Sequence, residues 1–339
     1  MRRSLLALAG LLALALTASC GGAGVTGVRG RAPTEGATGA MGPVAGASTY
    51  PLTGMPAVDA ARANRPAVAV KIDNNAAARP QSALEQADVI YEEFTEGITR
   101  FVVVFHSSDA PTVGPVRSVR PADPAIVKPL GGPLVFSGGA PAILDVVRSA
   151  GITQVTEDDR ETLRRRAGRP APFNLYTTTE AMFGKAGAGA PPPAFSPFLR
   201  PGETSAPAGA TPAASLRLAP APKVTAAYAW DAGAGVWARS TDGRPHLLEG
   251  GARLAPKNVI VQYTPYTAFA ADRIVRFPEV VGSGDALVLL AGTQVTARWT
   301  KASDTAVTSY VDSAGKPIPL VPGQTLVHLQ EPGSAVTVG

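Results

Sequence analysis

The sequence predicts an α/β (α+β) protein, with a mixed-sheet α/β domain in its N-terminal half and a smaller β-rich domain after it. Three observations predict this. Short β-branched runs alternate with helix-start signals over residues 67–151. A Pro/Ala/Gly-rich stretch breaks the chain at 186–214. Beyond that break nearly every apolar run is short, bounded by turn residues, and reads as a strand.

In the first half, residues 67–72 form a strand of small and β-branched residues, closed by Asp73-Asn74-Asn75, which reads as a turn held by side-chain to backbone bonds. Residues 80–87 are expected as a short helix, 89–94 as a second strand and 100–105 as a third, with Glu96-Gly97 as the turn between them. The unbroken apolar run of the third strand marks it as central and covered on both faces. Asp123-Pro124 reads as a helix cap followed by proline at the first helical position. Residues 134–137 form a strand, and 141–150 a helix that stops at Gly151. In the second half, strands are expected at 224–230, 236–239, 258–263, 286–290, 295–299 and 325–329. Asp242-Gly243 and Ala291-Gly292 are their turns.

The chain opens with Met1-Arg2-Arg3 and an apolar run at 5–16, shorter than the roughly 20 residues a membrane span requires. This is the pattern of a signal peptide. Small residues then lead to Cys20, the only cysteine, in Leu16-Thr17-Ala18-Ser19-Cys20. Cys20 reads as a lipid-attachment site, with residues 1–19 removed. Two or three acyl chains at about 0.8 kcal/mol per buried methylene anchor a protein stably. With Cys20 lipidated, no thiol remains for a disulfide, a cysteine nucleophile or a thiolate metal site. Residues 1–19 contain two arginines and no acid, so the formal charge falls from +5 to +3 on processing. No basic run marks a nucleic-acid surface. The expected organisation is a signal peptide at 1–19, a tether at 20–48, an α/β domain at 49–185, a linker or long loop at 186–214 and a β-rich domain at 215–332. The tether is nearly free of aromatics and reaches roughly 30 Å as a random coil.

Several segments carry a family resemblance. They include Val70-Lys71-Ile72-Asp73-Asn74, Arg79-Pro80-Gln81, Thr99-Arg100-Phe101, Gly114-Pro115-Val116-Arg117-Ser118-Val119-Arg120-Pro121, Asn174-Leu175-Tyr176-Thr177 and Pro322-Gly323-Gln324-Thr325. From residue 50 to about 330 the chain resembles the YerB-like bacterial lipoprotein family, whose members carry an N- and a C-terminal domain of unknown function. The resemblance implies a lipoprotein with an α/β domain joined to a smaller β-rich one, and no established activity. Phe173 stands where the family often has histidine, so no role of that histidine is carried to this chain.

The candidate binding residues are Asp73, Arg79, Glu93, Glu96, Arg100, Arg117, Ser118 and Arg120. Clustered guanidiniums make a fork-shaped site for carboxylate or phosphate. The carboxylates Asp73, Glu93 and Glu96 are the alternative partners, in an internal ion-pair network. If residues 117–120 are extended, Arg117 and Arg120 point to opposite faces. Ser137-Gly138-Gly139, between a strand and a helix, offers a weaker anion signal. His106, His246 and His328 stand far apart and no zinc or nucleophile-elbow motif occurs. Ser313-x-x-Lys316 falls in a turn. Glu92 and Glu93 face opposite sides of their strand. Trp230, Trp237 and Trp299 read as core rather than a sugar-stacking surface.

No catalytic residue, metal ligand or cofactor is therefore assigned. The expectation is an extracytoplasmic accessory protein, anchored to the membrane through Cys20, whose ligand is a wall glycan or other anion or whose partner is an envelope protein. A wall hydrolase using the carboxylates of the first domain, and a protein interaction module, are the alternatives.

Overall fold

Ile98–Phe105 lies at the heart of the sheet, with every residue from Thr99 onward buried. It pairs antiparallel with Val89–Thr95 on one side and Val68–Asp73 on the other. This is the central, doubly covered position that its apolar run predicts. The structure is a computed structural model and describes residues 49–200, 203 and 207–339. The segments expected as signal peptide and tether, with Cys20, lie outside the described residues.

From Val68–Asp73 the sheet continues in parallel to Leu134–Val135 and then Gln154–Val155. A close approach makes this possible. A Cβ on Gly132 would stand 1.7 Å from the carbonyl oxygen of Ala67, so only glycine lets the chain turn in beside the first strand.

On the other side the sheet crosses into the C-terminal half. Thr325–Gln330 pairs in parallel with Val89–Thr95 and, on its far edge, with Asn258–Tyr263. Gly282–Leu290, Thr293–Lys301 and Ser309–Val311 follow in antiparallel order. Strands from both sides of the 186–214 stretch thus share one continuous sheet. All described residues belong to one unit, Gly46–Gly339.

A second, five-stranded sheet contains Ser215–Ala221, Val224–Asp231 and Val236–Thr241, flanked by Arg244–Pro245 and Val336–Val338. Its inner residues Leu216, Leu218, Tyr228 and Trp237 pack with Ile90, Phe101, Val103 and Leu326 of the large sheet. The opposite face of the large sheet carries Asp123–Val127 and Pro141–Ser149, whose Ile126, Ile143 and Val147 meet Val102 and Val104. Trp237 and Trp299 are fully buried and Trp230 packs against Trp237, so all three serve the core.

Two local expectations change. The helix expected at 80–87 is only the 3-10 turn Leu84–Gln86, because Ala83 before it adopts φ 68° and breaks the run. Asp123 is not a cap but the first residue of its helix. Its side chain turns inward, accepting from the Arg120 amide and from Lys71.

Candidate functional site

The site grows from one cross-strand row. Arg100 lies opposite Glu93 on one neighbour and opposite Asp73 on the other. Directly opposed residues share a face, so Glu93, Arg100 and Asp73 project together, with Lys71 beside them two residues along its strand. Glu92 projects to the other face, as the alternation predicts. Each glutamate finds its own buried cation. Lys71 donates to Glu93 and, at 2.6 Å, to Asp123. Arg239 forks onto Glu92 at 2.8 and 3.0 Å.

Burial, and next the neighbouring Asp123 carboxylate, push Glu93 up to about 7 against the pull of Lys71. Glu93 is 1% exposed, and its second oxygen has no partner among the described residues. Burial, and then the Arg120 charge, bring Arg100 down to about 10. Arg100 donates to the Ser118 carbonyl at 3.0 Å and stands 3.8 Å from Glu96.

The arginine segment lies against the first strand. The Arg117 amide donates to the Lys71 carbonyl at 2.8 Å, and the Ser137 amide donates to the Arg117 carbonyl at 3.0 Å. The Arg117 Nε sits 2.9 Å from Asp73, and its guanidinium lies 5.9 Å from the centre of the Phe173 ring. Arg120 does not point away from Arg117. It opens the turn into Asp123–Val127, leaving the extended path, and its guanidinium reaches Thr95 at 2.8 Å and Glu96 at 2.6 Å.

Arg117, Ser118, Arg120, Ser137 and Glu96 line one open cleft of about 420 Å³. Gly138 and Gly139, leading into Pro141–Ser149, form part of its floor. Glu157, Arg165 and Asp272 complete the charged wall. Asp272 and Val275 come from the hairpin formed by Tyr266–Phe269 and Asp272–Pro278 in the C-terminal half. That hairpin is not legible in the sequence, because its strands alternate imperfectly and its register shifts between Ala268 and Phe269.

Of the eight predicted residues, Glu96, Arg117, Ser118 and Arg120 line this cleft. Asp73 and Arg100 stand directly behind, paired with Arg117 and near Glu96. Glu93 lies deeper, sealed with Lys71. Arg79 is elsewhere. It binds Asp242 at 2.8 Å and the Asn74 carbonyl at 3.1 Å. The turn at Asp73-Asn74-Asn75 is held as expected, the Asn75 amide donating to Asp73 at 2.8 Å. No cluster among the described residues has the makings of a metal site.

A second polar group lies buried between the sheets. Tyr228 donates to or accepts from His328 at 2.9 Å and accepts from Arg239 at 2.6 Å. Thr241 meets His246 at 2.7 Å, and His246 meets Gln81 at 3.0 Å. Two histidines far apart in sequence are thus joined through one arginine. Burial, and then Arg239, bring His246 down to about 3, so it stays neutral in the folded chain. Sequence reasoning missed Lys71 and Arg239. Lys71 carries a legible signal, since a lysine inside a buried β-branched run requires an acid partner.

The chain is similar in sequence and fold to known proteins. Residues 52–189 match the N-terminal domain, and 216–327 the C-terminal domain, of a protein family of unknown function. A segment of 71 residues is 49% identical to "Putative lipoprotein YerB" of Bacillus subtilis (strain 168), covering 21% of this chain and 21% of that protein. The fold is similar to the crystal structure of the YerB protein from Bacillus subtilis, with a TM-score of 0.74 and 25% identity over 86% of this chain and 99% of that one. With both domain matches in order along one chain, and the same fold in that relative, this chain belongs to the YerB-like family.

Proposed function

We propose that this chain is an envelope-tethered binding protein whose cleft takes an anionic, wall-derived ligand. Cleavage before Cys20 and acylation of its sulfur, palmitate included, hold the mature chain on the extracytoplasmic side of the membrane. The cysteine behind a short apolar run supports the anchor, as does the naming of its relative as a lipoprotein. Among the described residues no helix is long and apolar enough to cross a membrane.

One observation carries the binding role. Arg117 enters the cleft with its side chain 27% exposed, its Nε beside Asp73, and neither terminal nitrogen bonded within the described residues. Its backbone is fixed on both sides by the strand and by Ser137, so the fork is held in place before a ligand arrives. A pre-organised guanidinium beside serine hydroxyls suits a carboxylate or phosphate. The observations favour binding over hydrolysis, because Glu93, on which a hydrolytic reading leans, is shut away from solvent with Lys71.

Two measurements test the reading. Cys20→Ser should shift the protein from the membrane fraction to the medium, and unchanged retention rejects the anchor. Calorimetric titration of the full chain in detergent with N-acetylmuramic acid should give saturable binding. Arg117→Ala should weaken it by about tenfold or more at a temperature where the variant is still folded, some loss of melting temperature being expected because the buried Asp73 loses its 2.9 Å partner. Absence of binding by the wild type, or equal binding by the variant, rejects the cleft as an anion site.

A further inference from the structure

Granting the binding role just described, we propose that the preferred ligand of the cleft is a zwitterion: an amino acid or short peptide carrying both a carboxylate and an ammonium group, with small aliphatic side chains. The charges on the cleft wall are the starting point. Arg120 is neutralised by Glu96 at 2.6 Å. Arg165 is neutralised by Glu157 at 2.7 Å. Arg117 is paired with Asp73 at 2.9 Å through Nε alone, so its terminal fork stays open to the cleft among the described residues. The carboxylate of Asp272 accepts only the Ile274 amide at 3.1 Å and has no cation partner within the described residues.

These two groups belong to different parts of the chain. Arg117 projects from the segment packed on the first strand, and Asp272 from the hairpin of the C-terminal half. A ligand touching both must therefore present opposite charges at separate points. The anionic end is further defined. The amides of Gly138, Gly139 and Ala140 precede the nine-residue helix Pro141–Ser149, and none of them donates to a main-chain acceptor within the described residues. These three residues line the same cleft as Arg117. Open amides and the positive end of a helix favour a carboxylate beside the guanidinium.

A purely anionic ligand would leave Asp272 facing negative charge. A purely cationic one would leave the Arg117 fork unused. Ile143, Leu175 and Val275 add apolar patches to a mainly polar lining. Those patches suit compact alkyl groups on the ligand.

The test uses the full chain in detergent and three calorimetric probes: alanyl-alanine, its N-acetyl form, which lacks the ammonium, and its C-terminal amide, which lacks the carboxylate. The wild type should bind alanyl-alanine about tenfold or more tightly than either neutralised form. Asp272→Asn should abolish the preference over the N-acetyl form, weakening alanyl-alanine and, by removing a negative charge from the wall, tightening the N-acetyl form rather than weakening it. Asp272 is exposed and supports no core contact, so the variant should keep the wild-type melting temperature. Equal affinity for alanyl-alanine and its N-acetyl form, persistence of the preference in Asp272→Asn, or no binding of alanyl-alanine at millimolar concentration each overturns the zwitterion. These outcomes are separable from failure of the binding role, because titration with N-acetylmuramic acid and Arg117→Ala reports on the anion site alone.

Discussion

Arg239→Met should destabilise the protein by about 3–5 kcal/mol, the usual cost of stripping one partner from a buried ion pair. Both side chains of the Arg239–Glu92 pair are fully buried. Burial pushes the Glu92 carboxyl up, but Arg239 and then His328 more than reverse this and hold it well below the usual carboxylate range. Without the guanidinium, Glu92 keeps only Asn74 and Thr99 as donors, with His328 beside it. Tyr228 and Thr241 also lose a donor. Urea unfolding at pH 7 measures the effect. In the double variant Arg239→Met/Glu92→Leu part of the loss should return, since no charge is then left stranded, with a coupling energy of about 1–3 kcal/mol. A single-variant cost under about 1 kcal/mol, the range of exposed pairs, would sink the claim that this pair fastens the small sheet to the large one.

Lys71→Met should cost a similar amount, and its signature is a change in pH dependence. The lysine serves two carboxylates, Glu93 and Asp123, which are 1% and 0% exposed. Burial and Asp123 already raise Glu93 to about 7 in the folded chain, against about 4.3 in an unfolded one. A carboxyl with a raised folded value contributes stability that is fully present below the unfolded value and lost as pH rises through the folded one. Removing Lys71 takes away a charge that opposes this rise. The variant should therefore lose stability more steeply than the wild type between about pH 4.5 and 8, and recover best in acid. Melting curves across that range decide it. A uniform loss independent of pH would show that Lys71 acts through packing alone. Adding Glu93→Gln should flatten the slope.

The features that sequence reading captured are local. The strand at 98–105 is central because its apolar run leaves no face for water. Glu92 and Glu93 diverge because the side-chain period of a strand is two. Each of these follows from residues within a few positions of one another.

The features it missed depend on pairing between distant segments. Nothing near Arg239 indicates that Glu92, 147 residues earlier, is its partner. Arg79 lies beside the arginine cluster in the motif pattern, yet binds Asp242, 163 residues away. The extended alternative for 117–120 fails at Arg120, which opens a turn into Asp123–Val127. The hairpin carrying Asp272 has a register shift between Ala268 and Phe269, which blurs the alternation by which strands are recognised. The Pro/Ala/Gly-rich stretch at 186–214 marks a change in composition, but the hydrogen-bonded ladder passes over it.

That ladder has a consequence for how the chain reaches its final shape. Thr325–Gln330, which follows every other strand of the large sheet in the chain, fills the slot between Val89–Thr95 and Asn258–Tyr263. Until it arrives, two rows of amide and carbonyl groups in the middle of the molecule lack their neighbours, and unpaired rows of this kind recruit other chains. A fragment ending near residue 215 would keep one such raw edge permanently. Completion of the sheet must therefore be a late, long-range event, and any helper that shields nascent chains has most to do before Thr325–Gln330 emerges.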